Sequence, residues 1–281
     1  GVTLLTADGT QSGDKGSHYT QRAESGVVSV AVATGVAASG GGDHTHFAAA
    51  GSVIVSNVDQ TAESTAEKLD VSADNTAIEA GNAATTVNVA GNVGVSLGDS
   101  GSAAGAAVVV MNTNNDAKAE VKESGFTSGA LDVHGMNKAS AWSAAADATV
   151  AGSFALGGSV SVNRVMNTAH STAQKLELDA LTKADFTAED ESELWSLAGA
   201  VAYGGQTAGV SGAVAYSISG REASPGTQVD VSDLTVDGAS GTDVSVQAKA
   251  ADKVKTLVIA AGVSRGAVGF TGGAGVNEIK R

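Results

Sequence analysis

The chain has 281 residues, of which 37 are Gly and 1 is Pro; aromatic residues make up only 4%, and the apolar residues that reach 42% are mostly Ala and Val. Side chains this small cannot fill a thick centre at interior packing density, so the composition excludes a large rounded core and favours a thin, extended one. The net charge of −14 is spread along the chain and excludes the basic patches that nucleic acid or an anionic membrane would require, while the absence of Cys excludes disulfides and thiolate metal sites.

The chain is expected to be a single continuous domain, 1–281, cut from a larger protein. It starts at Gly1 without Met, has no basic segment followed by an apolar core, and has no apolar run of about 18 residues or more. Any targeting signal or anchor is therefore expected outside this sequence. Disorder is disfavoured because disordered segments are poor in β-branched residues, whereas Val is frequent here.

A repeat with a period near 54 residues runs along the chain. Each copy is a Gly followed by a short run of small and β-branched residues. The copies begin at Gly51, Gly105, Gly158, Gly212 and Gly272, with spacings of 54, 53, 54 and 60 residues. A second, less regular landmark is Leu69-Asp70-Val71, which returns as Leu131-Asp132-Val133 and, more loosely, as Val229-Asp230-Val231.

Alternation with a period of two predicts strands between these landmarks, with one buried face and one wet face. The apolar sets are expected to point inward and the polar sets outward. In the first segment the apolar set is Val87, Val89, Val93, Val95 and Leu97, and the polar set is Asn88, Asn92 and Ser96. The same pattern sets Ala117, Ala119 and Val121 against Lys118, Glu120 and Lys122, and sets Val244, Val246, Ala248 and Ala250 against Asp243, Ser245, Gln247 and Lys249.

Short alternating strands with Gly or Asn at the corners predict an all-β fold, a right-handed parallel β-helix (β-solenoid) that forms a single elongated domain. A period of 54 exceeds one coil of about 18–30 residues, so each repeat is expected to hold two or three coils, and the fragment to be a rod on the order of 50 Å long. Helical turns are alternatives only locally, at residues 61–68 and 189–195, because neither segment carries a long apolar stripe.

Four Asn residues end homologous strands, and their amides are expected to stack as a structural ladder at a corner of the coil. They are Asn57, Asn112, Asn163 and Asn277. Trp142 and Trp195 lie near the starts of repeats, where they could stack on sugars; capping a coil end or filling the core is the favoured interpretation.

No catalytic, cofactor-binding or metal-binding residues are assigned. Asp43-His44-Thr45-His46 resembles a metal site, since His44 and His46 could point the same way from a strand, but it follows three Gly and has no third His or Cys ligand nearby. The other His residues, His18, His134 and His170, are scattered and expected at the surface.

Two chemical alternatives receive less support from the residues. Calcium ladders need a Gly-Gly-x-Gly-x-Asp nonapeptide, and the Gly272-Gly273-Ala274-Gly275 segment lacks the Asp. A polysaccharide-active β-helix enzyme would need facing carboxylates, whereas Glu189, Asp190, Glu191 and Glu193 are contiguous and suggest a solvated loop.

The chain resembles the passenger repeats of large type V secreted bacterial proteins, the group of filamentous haemagglutinin-like adhesins and leukotoxin-like exoproteins. The resemblance is carried by Ala-Gly-x-Val-x-Val-Asn-like segments around Ala50, Gly158 and Gly212, and by Leu-Asp-Val at Leu69 and Leu131. It implies a right-handed parallel β-helix, export through a partner or fused outer-membrane barrel, and no catalytic residue.

The function expected from this resemblance is that of a structural and interaction segment: a β-helical shaft for adhesion or host-cell contact, extracellular or at the bacterial surface. Its partner would be an unidentified host or bacterial surface ligand, protein or glycan, with no nucleic acid and no membrane insertion. The alternatives are a polysaccharide-active β-helix enzyme and the scaffold part of a leukotoxin-like cytotoxin.

Overall fold

The computed structural model describes residues 2–12, 18–40, 45–220, 226–237, 241–266 and 268–280. These residues form ten strands and no helix, so none of them belongs to a helix that could cross a membrane. The strands are β1 Val2–Ser12, β2 His18–Ser39, β3 Phe47–Ser72, β4 Asn75–Ser96, β5 Ser102–Ala151, β6 Phe154–Gly204, β7 Ala208–Ser219, β8 Thr227–Asp237, β9 Asp243–Ser264 and β10 Val268–Ile279.

The strands stack as a parallel β-solenoid, which confirms the predicted fold class. Each strand pairs in parallel with the segment one repeat later: Phe47 is the partner of Ser102, Ser102 of Phe154, Phe154 of Ala208, and Ala208 of Val268. One sequence repeat is therefore one coil, and the prediction of two or three coils per repeat was wrong. The six successive rows of the taller sheet, about 4.8 Å apart, span roughly 25 Å from the first to the last, half the expected length.

Each coil is long because it consists of two extended arms that fold back on each other. In sheet 1 the stacked rows are β1, β3, residues 102–127, residues 154–179, β7 with β8, and β10. In sheet 2 they are β2, β4, residues 130–151, residues 183–204, and β9.

The two sheets face each other across one interior, and the arms of a coil run in opposite directions. Ser161 Oγ lies 2.7 Å from Ser196 Oγ, and Asn167 Nδ2 lies 2.6 Å from Asp190 Oδ1. Moving forward along one arm thus means moving backward along the other.

The interior is wide at one end of the coil and narrow at the other. The wide half, near the turns at residues 73–74 and 128–129, encloses large side chains such as Leu69, Ile78 and Phe186, all fully buried. In the narrow half, near the turns at residues 97–101 and 152–153, the core cluster consists of buried Ala residues alone, namely Ala48, Ala103, Ala151, Ala155 and Ala202.

The narrowing reverses the expected faces of the first alternating segment. Asn88, Asn92 and Ser96 point inward and are buried, while Val89 and Val93 are 39% and 42% exposed on the outside. The sheets approach so closely here that a Cβ on Gly35 would lie 2.6 Å from the Gly51 carbonyl oxygen of the opposite sheet. The side chains that fill this gap are small or polar ones, so the prediction of an inward Val face was wrong for this segment.

The two other alternating segments have the predicted faces. Ala117, Ala119 and Val121 are fully buried. Val244 and Val246 are the register partners of buried Ala184 and Phe186 and so point to the interior. The segments at residues 61–68 and 189–195, where helical turns were alternatives, are both strand.

Four successive rows of sheet 1 contain a β-bulge at the same place. Before the bulge every second side chain points inward, and after it the side chains of the other alternate set point inward. The central residues of the bulge have left-handed backbone angles although none is Gly: Lys68 (φ 54°), Glu123 (φ 49°), Lys175 (φ 54°) and Asp233 (φ 54°). They occupy equivalent places beside paired strands and alternate in charge, and Lys175 Nζ contacts Glu123 Oε1 at 2.9 Å. Opposite charges stacked one coil apart stabilise this backbone shift, since like charges there would repel.

Only one of the two sequence landmarks marks an equivalent place in successive coils. Gly158 pairs with Gly212 and Gly212 with Gly272, while Gly158 and Gly51 pair with Ala106 rather than with Gly105. By contrast, Leu131 pairs with Thr76 and with Ala184, so the Leu-Asp-Val landmark does not repeat structurally.

Candidate functional site

The outer surface of sheet 2 in the wide half is densely charged and is called here the charged face. It is defined by the outward side chains Asp132, His134, Asp185, Glu189 and Lys249. These side chains line an open depression of about 460 Å³. The parallel register places them in short columns along the solenoid axis, because Asp132 pairs with Asp185 and Glu189 with Lys249.

The carboxylates of the charged face have different environments. Burial, followed by the neighbouring charges of Glu79 and Asp185, raises the pKa of Asp132 above its ordinary value despite the opposing charges of His134 and Lys183. The hydrogen bond from Lys249 Nζ, at 2.9 Å, lowers the pKa of Glu189.

Asp132, whose pKa is raised, therefore lies beside a second carboxyl group, Asp185. A carboxyl group with a raised pKa beside a second carboxyl group is an arrangement used in acid–base chemistry on a glycosidic bond. The pair nevertheless lies side by side on adjacent rows of one flat sheet, with Asp185 bonded to Lys183. Facing carboxylates on opposite walls of a cleft are not formed by these two groups.

A second depression, of about 410 Å³, continues the charged face toward the narrow half. Lys138 Nζ and Glu191 Oε2 lie 3.4 Å apart at its surface, and both side chains are more than half exposed. Ser140, Glu193 and Lys253 also line it. Exposed donors and acceptors beside small apolar residues suit a polar ligand such as a glycan or an extended peptide.

The two Trp residues form a stack on the outer surface beside this depression. Their ring centroids are 4.8 Å apart with an interplanar angle of 11°, and Lys255 Nζ lies 4.0 Å from the centre of the Trp195 ring. They neither cap a coil end nor fill the core, so the favoured interpretation was wrong. Both faces of the Trp195 ring are covered, which leaves ring edges for a ligand and disfavours stacking on a sugar.

The indole N–H groups of the stack point toward the charged side. Trp142 Nε1 donates to Ser140 Oγ and Trp195 Nε1 to Glu193 Oε1, both at 3.0 Å. The Trp pair thus marks the border between the charged outer surface of the wide half and the apolar outer surface of the narrow half.

The acidic cluster at residues 189–193 lies on a strand and not in the solvated loop that was predicted. Glu189, Glu191 and Glu193 line the outer depressions, whereas Asp190 points inward, is 9% exposed, and accepts a hydrogen bond from Asn167. Strand alternation separates the four contiguous acids onto two faces, which contiguity alone could not show.

The predicted Asn ladder splits into two columns and lies within strands, away from the coil corners. Asn112 Nδ2 donates to Asn57 Oδ1 at 2.9 Å on the outside, whereas Asn163 is fully buried and donates to the Trp195 carbonyl. Asn277 shares the column of Asn163 through Ser217.

A more extensive ladder of buried Asn side chains was not predicted from the sequence. Asn82 donates to Asn137 at 3.0 Å, and Asn115 donates to Asn167 at 2.9 Å, with every member buried. Successive members are 55 and 52 residues apart, so a register built on the Gly repeat would have revealed it. The Asp132–Asp185 pair is spaced in the same way.

The His residues that the structure describes do not form a recognisable metal centre; they are His18, His46, His134 and His170. Asp43 and His44 of the metal-like motif lie outside the described residues, so that hypothesis stays untested. Elsewhere, in the ranges that the structure describes, no group of three His, Asp or Glu could hold a metal ion. His134 Nε2 lies 3.8 Å from Glu189 Oε2 on the charged face, and His18 Nδ1 lies 3.3 Å from Asn75 Nδ2.

Comparison with known proteins identifies no relative: no family model, no curated protein and no solved structure matches the chain. The resemblance to type V passenger repeats stays a prediction.

Proposed function

We propose that the chain is part of the β-solenoid shaft of a large exported bacterial surface protein, and that it serves adhesion or host-cell contact through its outer surfaces. The observation that carries this proposal is the stacking of long coils whose side-chain interactions recur from one coil to the next. Support for a longer shaft comes from β9, where the inward Val244 and Val246 are 43% and 53% exposed. Another coil of the same kind would bury them.

The ligand surface in this proposal is the depression at Lys138 and Glu191. Its polar groups are exposed and lie on a rigid sheet, which reduces the entropy lost when a ligand binds. A host or bacterial glycan, or an extended protein segment, fits this chemistry. The remaining outer charges would keep the shaft soluble.

A glycan and matrix-protein array probed with the 281-residue chain tests this proposal. We expect binding to at least one ligand, and we expect the double variant Lys138→Ala/Glu191→Ala to weaken that binding by about tenfold or more. Lys175→Ala is the control, because the Lys175 side chain is 64% exposed, against 55% for Lys138, but lies on sheet 1. Silence of the wild-type chain across the array would contradict the adhesive role and leave only a passive shaft.

A polysaccharide-active enzyme is the second candidate, favoured only by the raised pKa of Asp132 beside Asp185. It predicts release of reducing ends or unsaturated products from a polymer, lost in Asp132→Asn. Unchanged polymers across a panel of neutral and acidic polysaccharides would eliminate it.

A further inference from the structure

The outer surface of sheet 1 in the narrow half is apolar and is called here the valine face. It is defined by Val53, Val55, Leu156, Val160, Val162 and Val214, which point outward. Val53 is 65% exposed, and in the middle of the stack Leu156 and Val214 remain 44% and 42% exposed. A contiguous apolar sheet face of this kind is characteristic of an interaction site.

The valine face is uncharged, in contrast to the outer surface of the wide half. It is built from residues 47–55 and their register partners 102–110, 154–162, 208–216 and 268–276, and these five stretches contain no Asp, Glu, Lys, Arg or His. The net charge of −14 is therefore carried entirely by other parts of the chain.

The size of the valine face matches a stable interface. Nine residues at about 3.3 Å and five rows at about 4.8 Å give a surface of roughly 30 by 24 Å, or about 700 Å². A standard protein–protein interface buries about 800 Å² on each partner.

The middle of the face is a shallow groove along the solenoid axis. Its floor is the repeated landmark, with Gly158, Gly212 and Gly272 in one column. A Cβ on Gly158 or Gly212 would meet nothing nearer than 3.9 or 3.8 Å, and neither Gly has a left-handed φ. The fold does not require Gly there, although Gly weakens a strand, so the groove is open for another surface.

We propose that the valine face docks a second copy of this chain, side by side and with parallel solenoid axes. A two-fold axis parallel to the stack would set the ridge of Val160 and Val214 from each copy into the Gly groove of the other, as self-complementary interfaces require. Pairing through the charged face would bring acidic groups together, whereas this pairing buries only uncharged residues. The inference is independent of the host ligand proposed above.

Sedimentation equilibrium of the full chain up to about 100 µM tests the proposal. The wild type is expected to form a reversible dimer. Gly212→Val fills the groove and Val214→Glu places a charge on the ridge, and each is expected to raise the dimer dissociation constant by about tenfold or more. Circular dichroism should show both variants folded, and Gly212→Val at least as stable as the wild type.

Val201→Glu is the matched control, because Val201 is 44% exposed on the outer surface of sheet 2 and Val214 is 42% exposed on sheet 1. The control is expected to dimerise like the wild type. A wild type that stays monomeric at about 100 µM would overturn the proposal. So would dissociation by Val201→Glu alone, or a monomer whose valine face binds phosphatidylcholine vesicles instead.

Discussion

Two adjacent glycines, Gly157 and Gly158, lie on opposite surfaces of one strand and test which surface faces inward. A Cβ on Gly157 would lie 2.5 Å from Asp147 Oδ2 in the interior, whereas a Cβ on Gly158 would meet nothing within 3.8 Å. Gly157→Ala is expected to destabilise the fold by about 2 kcal/mol through overpacking. Gly158→Ala should be neutral or stabilising by about 0.5 kcal/mol.

Denaturant unfolding of the two Gly variants measures this difference. Equal effects, or a larger loss from Gly158→Ala, would mean that Gly157 does not face the interior and that the assignment of the two surfaces is wrong.

This surface assignment could not be read from the sequence. The alternation of Val87, Val89 and Val93 with Asn88 and Asn92 showed a strand but not its orientation, because the usual assumption puts valine inside. The orientation depends on how closely the sheets approach, which is a property of both arms together.

Asp147 is the second residue-scale test, since it is 4% exposed and lies in the narrow interior. Burial raises its pKa above the ordinary value and outweighs the hydrogen bonds donated by Asn92 and by the Gly158 backbone. The stability contributed by this group is therefore full below the unfolded-state pKa and is lost as the pH rises through the folded-state pKa. Asp147→Asn should remove that loss and stabilise the chain at neutral pH by about 1 kcal/mol.

The free energies of unfolding of Asp147→Asn and of the wild type can be measured between pH 4 and pH 9. The variant is expected to be the more stable of the two, by a difference that increases with pH. Glu123→Gln is a control of opposite sign. A hydrogen bond from Lys175 and its charge lower the pKa of Glu123, so that contribution is lost as the pH falls. A gap for Asp147→Asn that widens toward low pH would contradict the burial argument.

At the scale of elements, β5 and β6 are joined by the buried amide ladder as well as by backbone hydrogen bonds. Asn167 accepts from Asn115 and donates to Asp190 and Ser192, at 2.9, 2.6 and 2.9 Å. Replacing it by Leu removes these three hydrogen bonds from the interior, and we expect a loss of about 2–4 kcal/mol.

Asn112→Leu is the control for the ladder, because Asn112 bonds to Asn57 on the outside and its loss should change stability by less than about 0.5 kcal/mol. Both variants can be measured by thermal unfolding. Equal, small effects would show that the buried amides contribute no net stability.

Strand segments and their stacking were predictable at this scale, but the bulge in sheet 1 was not. The 117–122 segment alternates as expected, and immediately afterwards Glu123 shifts the pattern by one residue. Lys68, Glu123 and Lys175 have left-handed backbone angles, but the sequence of one repeat does not indicate this because none of them is Gly or Asn. These residues can be recognised as one stacked column only by the alternation of their charges from coil to coil. That alternation is visible only once the residue-by-residue alignment of successive coils is known.

For the whole molecule, the composition predicted a thin interior correctly, whereas the coil was predicted to be about a third to a half of its real length. The reason is the two-arm geometry: strands such as β3 run for 26 residues before the chain turns. Alternation alone does not show where a long extended segment folds back. The spacing of the repeated Gly residues equals the length of one full coil and does not contain several shorter coils.

Stacked coils contact only their neighbours, so stability should decrease toward the ends of the stack. In the part of the chain described here, β5 and β6 pair on both sides, whereas β2 pairs only with β4, β9 only with β6, and β10 only with β7. Amide hydrogen exchange followed by mass spectrometry should therefore be slowest in β5 and β6 and fastest in β10.

The same exchange experiment separates stacking from side-by-side pairing. A second copy on the valine face would cover sheet 1 in the narrow half and leave the open edges of β2 and β9 free. Raising the protein concentration should thus leave exchange in β2 and β9 unchanged. Protection of β2 and β9 that rises with concentration would instead mean that copies associate end to end, through the unpaired backbone groups of these edge strands.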